Sequence, residues 1–249
     1  MGLHKLAIEG QAWAGYNGVQ ARLQPFGSPP RNTDEETMVV IGYGALGRRI
    51  ETLGRALGMR VLIAERKGAF QVRPGRVHFQ QSLKQGTVFM LATPLTNETR
   101  EMIGGHELAA MDPTSILINV GRGGVVAESA LVTALRQGQI AGAAADVFKE
   151  EPATKANSLL LDPSIPNLLL SPHVAWYTRR TIDNTHNAQK ANLDGFVSGK
   201  MINVVVPPGR RRRRQDMVVG GTKRAVEEGS EDDTSVSDVA VCKTSDTAV

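Results

Sequence analysis

The chain has 249 residues, 41% hydrophobic and only 4% aromatic, and a net charge of +4. That length allows one sizeable core or one domain with appendages, and plentiful Gly, Ala, Val and Leu suit helices packed on a parallel sheet better than a β-sandwich. The lone cysteine, Cys242, excludes a disulfide framework or a cysteine-bound metal, and neither a membrane-length apolar run nor the n- and h-regions of a signal peptide are present, which predicts a soluble, cytoplasmic protein.

Residues 1–37 are rich in Gly, Pro, Asn and Gln, with short apolar patches around Leu6–Ile8 and Trp13. They read as an irregular N-terminal extension, too short for a domain, whose Pro29-Pro30 marks a loop into the first strand. Met38-Val39-Val40-Ile41 then suits a strand buried on both faces. Gly42, Gly44 and Gly47 follow as G-x-G-x-x-G. Leu46, Ile50, Leu53 and Leu57 recur at helical spacing, and Gly58 closes the helix at a C′-type position. A second apolar run, Val61–Ala64, ends on Glu65.

Each part of this unit has a physical role. Gly42 permits the tight turn, Gly44 lets a pyrophosphate approach the backbone, and Gly47 lets helix and strand pack closely. The first helical amides, from Ala45 and Leu46 onward, face the phosphates with the positive end of the helix dipole. Glu65 is placed to accept both ribose hydroxyls of an adenosine. Strand, glycines, helix, strand and acid fall in order within about 30 residues, the span of a dinucleotide-binding unit.

Downstream, strands and helices alternate. Val88–Ala92 reads as a strand stopped at Thr93-Pro94, Ser115–Val120 as one ending at Gly121-Arg122-Gly123-Gly124, and Ala141–Phe148 as a small-residue strand. Leu168–Leu170 is the last strand, ending at Ser171-Pro172-His173. Helical patterns cover Gln80–Gln85, Glu107–Met111, Glu128–Gln137 with its Leu131, Val132 and Leu135 stripe, and Thr181–Phe196. This predicts an α/β fold, a Rossmann-type doubly wound parallel sheet, with ligands at the carboxyl ends of its strands. The dinucleotide-binding domain spans residues 38–206. Residues 207–249 lack apolar periodicity and read as a disordered tail, with Arg210–Arg214 as a basic block. That block is read as a solvated run ahead of a nuclear-localisation or nucleic-acid patch, so no nucleic-acid partner is expected.

Three polar groups stand where strands end. Arg122, in a glycine-flanked turn, can grip a carboxylate through paired hydrogen bonds. His173 is placed as a general acid or base. Glu151, before Pro152, can hydrogen-bond the imidazole and favour its charged form. His4, His78, His106 and His186 show no metal-ligand spacing.

Ile118-Asn119-Val120-Gly121-Arg122-Gly123, Ala145-Asp146-Val147-Phe148 with Glu150-Glu151-Pro152, and Asn167 with Ser171-Pro172-His173 resemble the D-isomer-specific 2-hydroxyacid dehydrogenase family, as does Thr93–Arg100. Ala64–Gly68 and Pro172–Trp176 are most similar to its glycerate dehydrogenase/hydroxypyruvate reductase branch. The resemblance covers about residues 38–206. It implies that Arg122 binds the substrate carboxylate, that His173 protonates the carbonyl oxygen, and that Glu151 orients His173. It implies NAD as cofactor, with Asp146 on the nicotinamide carboxamide, Thr93 and Pro94 lining the ring pocket, and Val120 and Gly121 beside it. A carboxylate at Glu65 favours NAD over NADP, while Arg66 and Lys67 offset that preference and keep NADP as the alternative. The substrate would be a small 2-oxo or 2-hydroxy acid.

Family members carry a separate substrate domain built mostly from about their first hundred residues. Here Glu9–Trp13 resembles the Gly-x-x-Trp loop just before the cofactor domain. The chain therefore reads as a truncated member lacking most of the substrate domain. An NAD-dependent oxidoreductase is the leading expectation; a dinucleotide-binding module without turnover is the alternative, and a homodimer through the cofactor domain is implied by the resemblance.

Overall fold

A computed structural model describes residues 31–204. Six strands form one all-parallel sheet: β1 (Thr37–Ile41), β2 (Arg60–Ile63), β3 (Val88–Leu91), β4 (Ile116–Asn119), β5 (Gly142–Ala145) and β6 (Leu168–Leu170), in the order β2-β1-β3-β4-β5-β6. The order reverses at β1, between β2 and β3, and such a switch point leaves a crevice outside the strand ends.

Four helices cover the two faces of the sheet: α1 (Ala45–Ala56), α2 (Phe79–Gln85), α3 (Gly105–Ala109) and α4 (Glu128–Arg136); a fifth, α5 (Arg179–Val197), follows β6 and is exposed along nearly all its length. Alternate residues of β1 feed two cores, as a sheet buried on both sides requires. Val39 and Ile41 join Phe89, Leu91 and Leu117 under Phe79, Leu83, Leu108, Leu131 and Leu135. Met38 and Val40 join Val61, Ile63 and Val88 under Ile50 of α1. The Leu131, Val132 and Leu135 stripe of α4 is buried, as its spacing predicts.

Two sequence expectations are corrected. The buried face of α1 is Gly47, Ile50 and Gly54, while Leu46, Leu53 and Leu57 are exposed. The reason is closeness. A Cβ on Gly54 would lie 2.7 Å from the sulfur of Met38, so the helix backbone itself meets the sheet and no leucine fits between them. The small-residue strand also ends at Ala145 rather than Phe148, because Asp146, Val147 and Phe148 leave the ladder to build the site described below. Among the described residues, 187–204 belong to a second unit, in which the Lys200 amide donates to the Gly195 carbonyl at 2.7 Å. The expected N-terminal extension up to residue 30 and the expected tail lie outside the described residues.

Candidate active site

The turn after β1 is built from contacts that only glycine allows. Gly42 has φ +99°, and a Cβ there would meet the Ala92 carbonyl at 2.6 Å. A Cβ on Gly47 would sit 2.0 Å from the Gly42 carbonyl oxygen. Gly44 differs: nothing lies within 4 Å of a Cβ placed on it. It caps α1 without any side-chain hydrogen bond, and the first amides of α1, at Ala45 and Leu46, have no hydrogen-bond partner among the described residues. Unpaired amides at the positive end of a helix suit a diphosphate.

Thr93 and Pro94 follow β3 directly. The Thr93 hydroxyl is buried and has no hydrogen-bond partner among the described residues. Such an orphan beside the glycine turn fits a polar ligand group. Gly121 packs on the same segment, since a Cβ there would lie 2.8 Å from the Thr93 carbonyl oxygen. Val120 packs with Tyr43 and Ala92 around the core under α1. The chain's residues therefore fit a bound dinucleotide at the switch point.

Glu65 stands at the end of β2, yet its carboxylate is committed elsewhere. It is 4% exposed. Oε1 accepts from the Arg66 amide at 2.8 Å and from Arg73 Nη2, and Oε2 accepts from the Arg73 amide at 3.2 Å and Arg73 Nε at 2.8 Å. Arg76 Nη1 adds an ion pair at 3.8 Å. A carboxylate has about four acceptor sites, and all are taken, so none is left for ribose hydroxyls. The Arg73 side chain, foremost among these partners, holds the Glu65 carboxyl well below the usual carboxylate range despite its burial. Because the folded-state pKa is depressed, this pair stabilises the fold above the unfolded value of about 4.3 and loses that contribution as pH falls below it. Glu65→Gln is expected to cost about 2 kcal/mol at pH 7. In urea titrations at successive pH values, the gap between the two proteins should narrow from about pH 4 downward. A gap independent of pH would contradict the assignment.

Arg122 is exposed and donates to the Gly121 carbonyl at 2.7 Å. Its turn is held by Asn119: the side-chain amide donates to the Arg122 carbonyl at 3.1 Å, and the side-chain oxygen accepts from the Gly121 amide at 3.1 Å. Gly123 is irreplaceable there, because a Cβ would fall 1.6 Å from the Phe148 carbonyl oxygen.

His173 and Glu151 meet, with Nδ1 2.6 Å from Oε2. Burial alone would raise the Glu151 pKa. The Phe148 amide, the His173 contact and the Arg122 charge outweigh it, and the net shift is downward. An ionised carboxylate can only accept, so Nδ1 carries the shared hydrogen and Nε2 is left to hold or give a proton. The structure thus brings His173 and Glu151 together, with the Arg122 charge near enough to act on Glu151.

Asp146 is 5% exposed, and its carboxylate is the anchor of the histidine loop. It accepts from the Ser171 hydroxyl at 2.6 Å, the Val174 amide at 2.9 Å and the Ala175 amide at 3.0 Å. The Trp176 indole donates to the His173 carbonyl at 2.9 Å. Between these ties His173 adopts φ +54°, a left-handed conformation uncommon outside glycine. Sequence reading missed Arg73, Arg76, Ser171 and the indole of Trp176. The available signal for the arginines was Arg73-Pro74-Gly75-Arg76, a Pro-Gly turn within the loop that follows the second strand.

Comparison with known proteins identifies the family. Residues 9–175 match the family model described as D-isomer specific 2-hydroxyacid dehydrogenase, NAD binding domain. A glycerate dehydrogenase of Methylorubrum extorquens is 43% identical over 68% of this chain and 52% of its own length. A glyoxylate reductase of Aeropyrum pernix is 38% identical over 67% of this chain and 50% of its own. The chain thus spans about half the length of these relatives. Among solved structures, a glyoxylate reductase from Paecilomyes thermophila superposes with a TM-score of 0.64 at 28% identity, over 84% of this chain and 63% of that one.

Proposed function

Because the chain belongs to the D-isomer specific 2-hydroxyacid dehydrogenases, through their NAD binding domain, we propose that it serves the reduction of a small 2-oxo acid, or the reverse oxidation, with NAD. Residues 38–206 act as the dinucleotide-binding domain. The observation that carries this reading is the His173–Glu151 pair at 2.6 Å beside the Arg122 turn. Arg122 binds the carboxylate and carbonyl oxygen of the substrate through its fixed fork. His173 gives the carbonyl oxygen a proton from Nε2, and Glu151 keeps the ring oriented for that transfer. Bound NADH would supply the hydride that the carbonyl carbon receives. Gly42, Gly44, Gly47 and the first amides of α1 hold the diphosphate, with Thr93, Pro94, Val120 and Gly121 beside the nicotinamide. Hydroxypyruvate and glyoxylate are the substrates of choice, since the relatives include a glycerate dehydrogenase and a glyoxylate reductase.

One observation favours a second reading, a dinucleotide-binding module without turnover. The side chains of His173 and Glu151 are 36% and 34% exposed, so water reaches the proton-transfer pair. The two readings separate by titrating NADH into the chain by fluorescence and then adding hydroxypyruvate. Oxidation of NADH that Arg122→Ala reduces at least about a hundredfold supports the enzyme, because a lost charged, bidentate contact is worth about 3 kcal/mol. Binding without oxidation supports the module. No binding sinks both.

Among the described residues no helix is long and apolar enough to cross a membrane. We place the protein in the cytoplasm, and the exposed Leu46, Leu53 and Leu57 of α1 support self-association as a homodimer.

A further inference from the structure

We infer that Glu128 is a positioning residue: its carboxylate closes the loop that carries Glu151 and thereby fixes the contact between Glu151 and His173. The inference rests on the proton-transfer role given to His173 above. Glu128 is half-buried and is the first residue of α4, shortly after the Arg122 turn. An acid in the first turn ordinarily serves its own helix, whose dipole favours negative charge there. The hydrogen bonds of Glu128 run away from the helix instead. Oε1 accepts from the Lys149 amide at 3.1 Å, and Oε2 accepts from the Ser158 hydroxyl at 2.8 Å and the Leu159 amide at 3.2 Å. These donors are the two ends of one loop, residues 149–159, which one carboxylate ties together at its base.

The loop passes a displacement of its base on to Glu151. At the near end, Glu151 Oε1 accepts from the Phe148 amide at 2.9 Å, and the next amide along the chain is the one that Glu128 holds. Two carboxylates thus grip successive amides of one short segment. The other side of that segment lies against Gly123, where a Cβ would fall 1.6 Å from the Phe148 carbonyl oxygen and 2.7 Å from the Lys149 nitrogen. The Phe148–Lys149 peptide is therefore held between the Arg122 turn and Glu128. At the far end Ser158 is buried, and its hydroxyl oxygen also accepts from the Leu160 amide at 3.3 Å. Inside the loop, the Asn157 side chain accepts from the Thr154 amide at 2.7 Å and donates to the Pro152 carbonyl at 3.2 Å, which couples the far end to the residue after Glu151. Glu151 keeps one oxygen on Phe148 and the other 2.6 Å from His173 Nδ1. Hydrogen bonds weaken steeply as angle and distance depart from their optimum, so a loosened base costs the imidazole its orienting partner.

The test reads the imidazole directly, by nitrogen NMR of His173 in the whole chain at alkaline pH, where a neutral ring holds one proton. A carboxylate on Nδ1 keeps that proton on Nδ1, and a ring released from it moves toward the Nε2–H form. The unaltered chain should show the Nδ1–H form. Glu128→Ala should shift the ring toward Nε2–H, with a thermal melt confirming that the variant is folded. Glu128→Gln should restore the Nδ1–H form, because its oxygen still accepts from the Lys149 amide while its side-chain nitrogen donates to the Ser158 hydroxyl. Where Glu128→Ala does not fold, Ser158→Ala decides, since it frees the far end of the loop alone and should shift the ring in the same direction. In turnover of hydroxypyruvate, Glu128→Ala should lower kcat at least about tenfold and leave KM within about threefold, the pattern of a displaced proton donor. A folded variant whose His173 ring stays in the Nδ1–H form would overturn the inference, because a carboxylate that only stabilises the fold leaves the ring unmoved. If the unaltered chain does not oxidise NADH, the enzyme reading fails by itself, and the ring shift still decides for or against Glu128.

Discussion

Gly47→Ala is expected to lower stability by about 3 kcal/mol, or about 10 °C in melting temperature, and to abolish dinucleotide binding with it. The added methyl would lie 2.0 Å from the Gly42 carbonyl oxygen and 3.3 Å from Val40, and the first of these contacts is with backbone. No rotamer change relieves it. Either α1 shifts away from the sheet or the turn after β1 opens, and each breaks the packing of Ile50 on Val40 and Val61. Gly44→Ala should behave differently. Nothing lies within 4 Å of the new methyl, and the residue has φ −88°, which alanine tolerates. Its stability cost should stay near 1 kcal/mol, that of an N-cap without a polar side chain. Its methyl instead takes the space of the approaching pyrophosphate, so NADH affinity should fall at least about tenfold. Thermal melts and NADH titrations of the two variants measure both effects. Equal melting temperatures for the two would contradict the roles given to these glycines.

Asp146→Ala is expected to cost about 3 to 4 kcal/mol, because three donors lose a buried, charged acceptor at once. Burial by itself would raise the Asp146 pKa. The Ser171 hydroxyl and the amides of Ala175 and Val174 more than offset it, and the carboxyl titrates below its ordinary range. The sign follows from that depression: the contribution is complete above the unfolded value of about 3.9 and fades as pH falls below it. Chemical denaturation at pH 7 and pH 3 should therefore show a large gap between the proteins at pH 7 and a smaller one at pH 3. Asp146→Asn should recover part of the loss, since its oxygen can still accept from Ser171 and Val174 while its amide opposes the Ala175 amide. The same variants should lose the His173–Glu151 contact, because the loop that holds φ +54° at His173 is no longer over-determined. Nitrogen chemical shifts of the His173 ring report this directly.

Much of the fold was legible because it rests on periodicity and on glycine. The six strands, their parallel arrangement and the turn at Gly42–Gly47 follow from apolar runs and turn residues that carry their own geometry. Arg122, Glu151 and His173 could be picked out because they end strands, and strand ends of such a sheet converge on one edge. The rest depended on contacts between distant segments. Leu46, Leu53 and Leu57 have the spacing of a buried face, yet two glycines bring the helix backbone so close that the leucines turn outward. Glu65 has the position of a ribose acceptor, but its partner Arg73 lies beyond the strand, in a loop whose path no spacing rule gives. The amides of Val174 and Ala175 that converge on Asp146 likewise lie too far along the chain for any spacing rule to pair with it.

The composition of β5 bears on the order in which the molecule assembles. Its four residues are Gly-Ala-Ala-Ala, with little intrinsic preference for an extended conformation and little surface to bury. It becomes a strand because β4 and β6 flank it, so it should be among the last segments to settle. The β1–α1–β2 unit, by contrast, is closed by contacts near in sequence, and such contacts form early. The nucleotide turn is thus expected to exist before the loop that carries His173 is in place. A nucleotide bound to that early turn would stabilise the half-built chain by mass action and act as a template for the remainder. Cellular cofactor supply would then influence the yield of native protein.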